Sequence, residues 1–169
     1  MSFFKKIGFN CLFILLLTQC NFKSLYGTND TIASEELRRI KISNIEGRLG
    51  QMMRNALVQK ITPQGYPEKP LYTLDITMNF SDRDLGIAKD ATATRAEVTL
   101  SVRYVLKDYK TGKELYKGQE VESSDYNILT HSYYSNIVSK QNTQEGTIEF
   151  MSNLIKLSLA SYLSSTQDR

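Results

Sequence analysis

Tyr72-Thr73-Leu74-Asp75-Ile76-Thr77-Met78-Asn79-Phe80 alternates large apolar side chains with polar ones at every step. That period of two belongs to a strand with one face in a core and the other in water. The same period returns further along, where Ala96, Val98, Leu100, Val102, Tyr104 and Leu106 fall on one side and Thr99, Ser101 and Arg103 on the other. Two such strands predict a sheet buried on one face only, the usual state of an antiparallel sheet. After the second, Asp108-Tyr109-Lys110-Thr111-Gly112 reads as a turn with Gly placed for positive φ, so the chain is expected to fold back as a hairpin onto Glu114 to Val121. Gly118 is expected to mark a bulge there. Asp82, Asp84 and Asp90 fall between the two alternating runs, in an expected loop, where Asp commonly serves turn geometry.

Upstream, Ile40 and Ile42 alternate with Arg39, Lys41 and Ser43 as in a short, half-exposed strand. A helix is expected next. Ser43 and Glu46 have capping-box spacing, and Ile45, Leu49, Met52, Met53, Ala56, Leu57 and Ile61 recur every three or four residues. Thr62-Pro63-Gln64-Gly65-Tyr66-Pro67 ends it. Downstream, Asn142 and Glu145 suggest the cap of a second helix with Ile148, Met151, Ile155, Leu159 and Tyr162 on its apolar face. Phe150, Leu154, Leu157 and Leu163 are expected to widen that face. The predicted fold is α+β: a four-stranded, largely antiparallel sheet with two helices packed on one face, in the order strand, helix, three strands, helix.

The N-terminus reads differently. Lys5 and Lys6 precede an apolar run from Ile7 to Leu17, followed by Leu17-Thr18-Gln19-Cys20. The run is shorter than the roughly 20 residues needed to cross a bilayer as a helix. It has instead the layout of a lipoprotein signal peptide over residues 1–19 with Cys20 as the lipid-attachment site. Cys11 is the poorer position, since Phe9 and Asn10 precede it. Gln19 departs from the small residue usual before such a cysteine, which leaves an ordinary signal peptide or an uncleaved anchor as the other readings. Residues 20–36, polar with scattered aromatics, are read as a lipidated tether, and residues 37–165 as a single domain. Processing at Cys20 would leave 150 of the 169 residues and one cysteine, so no disulfide framework is expected. Loss of Lys5 and Lys6 would take the formal net charge from +3 to about +1, which implies no nucleic-acid partner.

Catalytic signatures are missing. The chain has a single His, His131, and no Gly-rich phosphate loop, so neither a metal set nor a nucleophile–base pair stands out. A hydrolase built on His131 and Ser132 would lack a nucleophile motif, and no catalytic residue, metal or cofactor is predicted. Two clusters carry a possible binding role. Lys107, Lys110, Lys113 and Lys117 surround the hairpin, where they could hold the phosphates of an anionic glycolipid or simply guard a sheet edge against aggregation. Tyr126, Tyr133 and Tyr134 precede the last helix and suit either a partner interface or packing over the sheet end.

Taken in order, Cys20-Asn21-Phe22 with Leu25-Tyr26-Gly27, then Ile45, Arg48, Gly50-Gln51, Arg54-Asn55 and Leu57, then Thr94-Arg95 and Thr111-Gly112, resemble the LPS-assembly lipoprotein family LptE in its alphaproteobacterial form. The likeness runs over nearly the whole chain after Gln19. It implies a non-catalytic lipoprotein of the cell outer membrane, anchored on the periplasmic side through lipid on Cys20. It further implies a plug and assembly factor for the β-barrel translocon protein LptD, with lipopolysaccharide as a ligand and the basic hairpin as its natural contact. An outer-membrane lipoprotein serving another envelope complex is the alternative.

Overall fold

The computed structural model describes residues 35–87, 93–129 and 132–167. The expected signal peptide, Cys20, the tether up to residue 34, Asp90 and His131 lie outside the described residues. The elements are β1 (Ile40–Ile42), α1 (Gly47–Ile61), β2 (Tyr72–Ile87), β3 (Ala93–Asp108), β4 (Glu114–Asn127) and α2 (Tyr133–Gln167). This is the α+β order expected from the alternation and the two apolar stripes.

The four strands form one sheet in the order β1-β2-β3-β4. β2, β3 and β4 are antiparallel neighbours, while β1 lies parallel to β2, with α1 as the crossover that a parallel pair requires. Register places Leu74, Leu106 and Tyr116 in one row, and Ile76, Tyr104 and Gly118 in the next. Those rows face the helices. Ile40, Ile42, Leu74, Leu100, Val102, Tyr104 and Leu106 from the sheet join Met53, Leu57 and Ile61 of α1 and Met151, Ile155 and Leu159 of α2 in a single buried cluster. Each large apolar side chain withdrawn from water contributes about 1.5–3 kcal/mol, which holds both helices on one face and leaves the other uncovered.

Several local expectations are corrected. Ser43 and Glu46 do not form a capping box: α1 starts at Gly47, Glu46 makes no side-chain cap, and Ser43 Oγ donates to Asp75 Oδ1 at 2.5 Å. Gln51 Nε2 instead reaches back to Ile45 O at 2.8 Å. Asp82 and Asp84 are strand residues of β2, paired with Val98 and Ala96, and not loop residues. Beyond Phe80 the side chains from Ser81 to Leu85 are exposed on both faces, so backbone pairing continues without the apolar alternation that would reveal it. β4 likewise runs on past Val121 to Asn127.

Gly118 is not a bulge. It pairs with Tyr104 in regular register, and the irregularity lies between Leu106 and Lys107. A Cβ at Gly118 would sit 2.1 Å from Tyr104 Cζ, so the glycine makes room for the ring.

α2 begins at Tyr133, well before the expected cap, and Asn142 and Glu145 lie inside it. Asn136 fastens the entry: its Oδ1 accepts from Leu129 N (2.8 Å) and its Nδ2 donates to Leu129 O (3.0 Å). The early turns are polar and carry no strong apolar stripe, which is why periodicity missed them. Phe150 and Leu157 do not widen the core face either, being 49% and 53% exposed, because one helix face of a single sheet layer cannot be buried all round.

Candidate functional site: an uncovered basic sheet face

Side chains alternate across a strand, so the residues between the core positions share the face that no helix covers. The rows on it follow from register. Lys41, Thr73 and Lys107 lie side by side, then Asp75, Val105 and Lys117, then Thr77, Arg103 and Gln119. Next come Asn79, Ser101 and Val121, and further on Arg83, Glu97 and Asp125.

Charge is unequal along this face. At the far end Arg83 pairs with Glu97 (2.9 Å) and Arg95 with Asp125 (2.6 Å), so the charges cancel locally. Near the hairpin, Lys41, Arg103, Lys107, Lys110, Lys113 and Lys117 face fewer acids. Lys107 pairs with Asp75 at 2.8 Å and Lys117 with Glu114 at 2.5 Å. The hydrogen bond to Asp75 raises the Lys107 pKa, and the bonds from Lys107 and then Ser43 hold the Asp75 carboxyl below its usual range. Among the described residues, Arg103, Lys110 and Lys113 have no ion-pair partner. Lys41 Nζ lies 5.5 Å from the centre of the Tyr109 ring, a cation–π contact that leaves its charge uncompensated.

The hairpin tip is rigidly built. Asp108 Oδ1 accepts from Thr111 N (2.7 Å), Thr111 Oγ1 (2.7 Å) and Lys110 N (3.1 Å), Gly112 takes φ +69°, and Asp108 N donates to Lys113 O (2.9 Å). These bonds, the Thr111 amide first, lower the Asp108 pKa. The turn therefore holds Lys110 and Lys113 exposed at one end of the open face.

The four lysines foreseen from sequence are thus drawn to one end of the molecule, but two of them are already paired. Arg103 and Lys41 were missed. Lysines close in sequence mark a turn, whereas these two join the patch only through strand register. The signal was available, since both sit at polar positions between buried neighbours: Ile40 and Ile42 for one, Val102 and Tyr104 for the other. Arg103 stands between two shallow depressions, one beside Thr77, Asn79 and Ser101 and one beside Lys117 and Gln119. A guanidinium there can grip a phosphate or carboxylate through two parallel hydrogen bonds, with hydroxyl and amide groups beside it.

The tyrosines foreseen as one segment are dispersed. Tyr126 is half-buried on the helix-facing side of β4, opposite Ala96, while Tyr133 and Tyr134 open α2 at 82% and 78% exposure. The aromatic contact that does form joins Tyr116 to Tyr162, stacked at 4.7 Å, and to Tyr104 at 6.1 Å. Among the described residues no group of three or more His, Cys, Asp and Glu is arranged to hold a metal, and no helix is long and apolar enough to cross a membrane.

The family model for LptE, described as lipopolysaccharide-assembly, matches residues 37–156. No curated protein matches the sequence. Among solved structures, a protein of Caulobacter crescentus CB15 assigned as a lipoprotein aligns with TM-score 0.65 and 27% identity, over 78% of this chain and 96% of that one. The rare lipoprotein B of Shewanella oneidensis aligns with TM-score 0.59 and 14% identity, over 76% and 96%. A minor lipoprotein of Acinetobacter baumannii aligns with TM-score 0.54 and 12% identity, over 72% and 88%. At those last two identities the likeness is one of fold.

Proposed function

The chain belongs to the LptE family of lipopolysaccharide-assembly proteins, and we propose on that basis that it is an outer-membrane lipoprotein that plugs and helps assemble the β-barrel translocon LptD. In this reading it is no catalyst, it is held on the periplasmic side by lipid on Cys20, and it contacts lipopolysaccharide in transit. The observation that carries the lipopolysaccharide contact is the basic half of the uncovered sheet face. Arg103 is the central phosphate-binding group, with Lys110 and Lys113 at the hairpin tip and Lys107 and Lys117 flanking. A polar, uncovered sheet face also suits the polar wall of a large barrel lumen.

Affinity purification of the full chain from detergent-solubilised outer membranes, followed by mass spectrometry, tests the plug. Stoichiometric recovery of a large β-barrel with lipopolysaccharide is expected, and recovery of the protein alone rejects the reading. Arg103→Glu combined with Lys110→Glu and Lys113→Glu is expected to weaken lipopolysaccharide binding and flatten its salt dependence, because exposed charges act through screened attraction. Wild-type binding by that variant would move the contact off this face. Cys20→Ala is expected to lower outer-membrane content in fractionation; an unchanged distribution would remove Cys20 as the anchor.

A second reading rests on Tyr133 and Tyr134, two exposed aromatic rings at the start of α2. Exposed tyrosines of this kind suit a protein interface. Recovery of a complex without the barrel, lost in Tyr133→Ala with Tyr134→Ala, would favour it.

A further inference from the structure

On the helix-facing side of the sheet, away from the basic face, α2 packs along the edge strand β4. The later turns of the helix and the strand leave a cleft of about 490 Å³ between them, lined by Tyr116, Leu157, Ser158, Ser161, Tyr162 and Ser165. That volume lies within the roughly 300–1,000 Å³ common for small-ligand sites. The cleft is open to solvent along its length, with Leu157 53% exposed at its rim.

Two features give it a chemical character. Tyr116 and Tyr162 are stacked with ring centroids 4.7 Å apart and planes 19° apart, so they form a flat aromatic platform. Beside the platform stands a carboxylate with little to hold. Glu120 points to the helix-facing side of β4, opposite Val102, and is only partly exposed. Its Oε1 accepts from Tyr104 OH at 3.4 Å and from Ser158 Oγ at 3.5 Å, both longer than the usual O–H···O bond of about 2.7–2.8 Å. Among the described residues Glu120 has no ion-pair partner. An inward charge on an edge strand opposes pairing with another strand, but Glu122, two residues on and facing the same side, already supplies that guard. The lone pairs of Glu120 are therefore available to a donor coming from the cleft.

The ligand class follows from these groups. None of the lining residues is charged, so no cation is present to hold an anion, and the Glu120 carboxylate repels one. A cationic ammonium group is best held in a box of aromatic rings around it, whereas the two rings here are stacked on each other. A pyranose ring fits better. Its C–H groups carry slight positive charge and pack on the electron-rich aromatic surface, while its hydroxyls donate to a carboxylate in charge-assisted bonds. Ser161 Oγ is exposed and, among the described residues, has no hydrogen-bond partner, which leaves it to meet a further hydroxyl.

We propose that the cleft between β4 and the later turns of α2 binds neutral pyranose sugars, with a ring against the Tyr116–Tyr162 pair and hydroxyls bonded to Glu120 and Ser161. The sugar is either a free glycan or one carried on a lipid. This assignment rests neither on the basic face nor on the translocon reading.

Amide chemical shifts of the full chain in a sugar-free zwitterionic detergent test it, with cellobiose as the probe. Saturable shifts at Tyr116, Ser158, Ser161 and Tyr162 are expected in the millimolar range. Glu120→Gln keeps the shape of the side chain and removes its charge, and is expected to weaken cellobiose about tenfold. Ser161→Val, at an exposed position that folding does not depend on, is expected to weaken it less. Circular dichroism shows whether each variant is folded. Shifts at these amides with cellobiose assign a free glycan; shifts with octyl glucoside but not with cellobiose or octanol assign a lipid-borne one. No shift at these amides with either sugar overturns the proposal, as does wild-type affinity in both variants. Shifts there with tetramethylammonium and with neither sugar overturn the ligand class.

Discussion

Gly118 shows how much a single hydrogen in place of a side chain decides here. Tyr104 is buried with its ring lying across the Gly118 backbone, and it carries the aromatic contact to Tyr116. Gly118→Ala puts a methyl into that ring, and the expected cost is about 1–3 kcal/mol, read as a lower denaturation midpoint. A second variant that shortens the ring, Tyr104→Leu, should make the added methyl less costly. At the same scale, titration gives a signed expectation. The folded Asp75 carboxyl is depressed by Lys107 and Ser43, so its stabilisation is complete above the unfolded carboxylate value and is lost as pH falls through the folded one. Asp75→Asn is expected to flatten the acid limb of stability, measured by urea midpoints from neutral to acid pH. Tyr72 and Tyr104 behave oppositely: burial pushes both to about 12. The neutral phenols stabilise the fold below an ordinary tyrosine value, and that contribution is lost as pH rises towards 12. Tyrosinate absorbance should show two late-ionising groups, and their early ionisation would contradict the packing.

α2 is the element whose two halves differ most. From Ile148 to Leu163 it buries Ile148, Met151, Ile155, Leu159 and Leu163. Before that, from Tyr133 to Thr143, it buries nothing fully and is tied down by Asn136 to Leu129 and by Lys140 to Asp82. Amide exchange is expected to divide accordingly, with slow amides in the later half and faster opening in the earlier one. Uniform protection over the helix would show that the early turns hold a contact not present in the isolated chain. The same division explains what was legible. The Ile148-to-Leu163 stripe was readable because a core imposes period 3.6 on a helix. The polar early turns carry no such imprint, so the sequence pattern places a cap at Asn142, where the stripe begins. β2 and β4 repeat the lesson, since both continue past the point where alternation stops.

Across the whole molecule, the sheet and both helices share one core, so disturbing its middle should weaken all of it together. Met151 of α2 is fully buried, and Met151→Ala is expected to cost about 2–5 kcal/mol in a single transition, with the sheet and helix signals moving at one midpoint. Separate transitions would mean that α2 is an attachment to an independently stable sheet. The other consequence of one core is that the opposite face stays open. Lysines gathered around Asp108–Gly112 pointed to one end of that face, and the structure keeps them there. Arg103 and Lys41 enter only when β1, β2 and β3 are set side by side, because residues far apart in sequence become neighbours through register.

By itself the sequence determined the α+β class, the strand faces, the two apolar helix stripes and the Asp108–Gly112 turn. Each is a local consequence of side-chain period or of one residue's backbone freedom. Only the tertiary structure decided that β1 runs parallel to β2, that Tyr104 claims the space above Gly118, that Asp82 and Asp84 belong to a strand, and which cations meet on the open face. Those outcomes depend on pairing between distant segments, where backbone hydrogen bonds hold polar, exposed strands in register and leave no periodic mark along the chain.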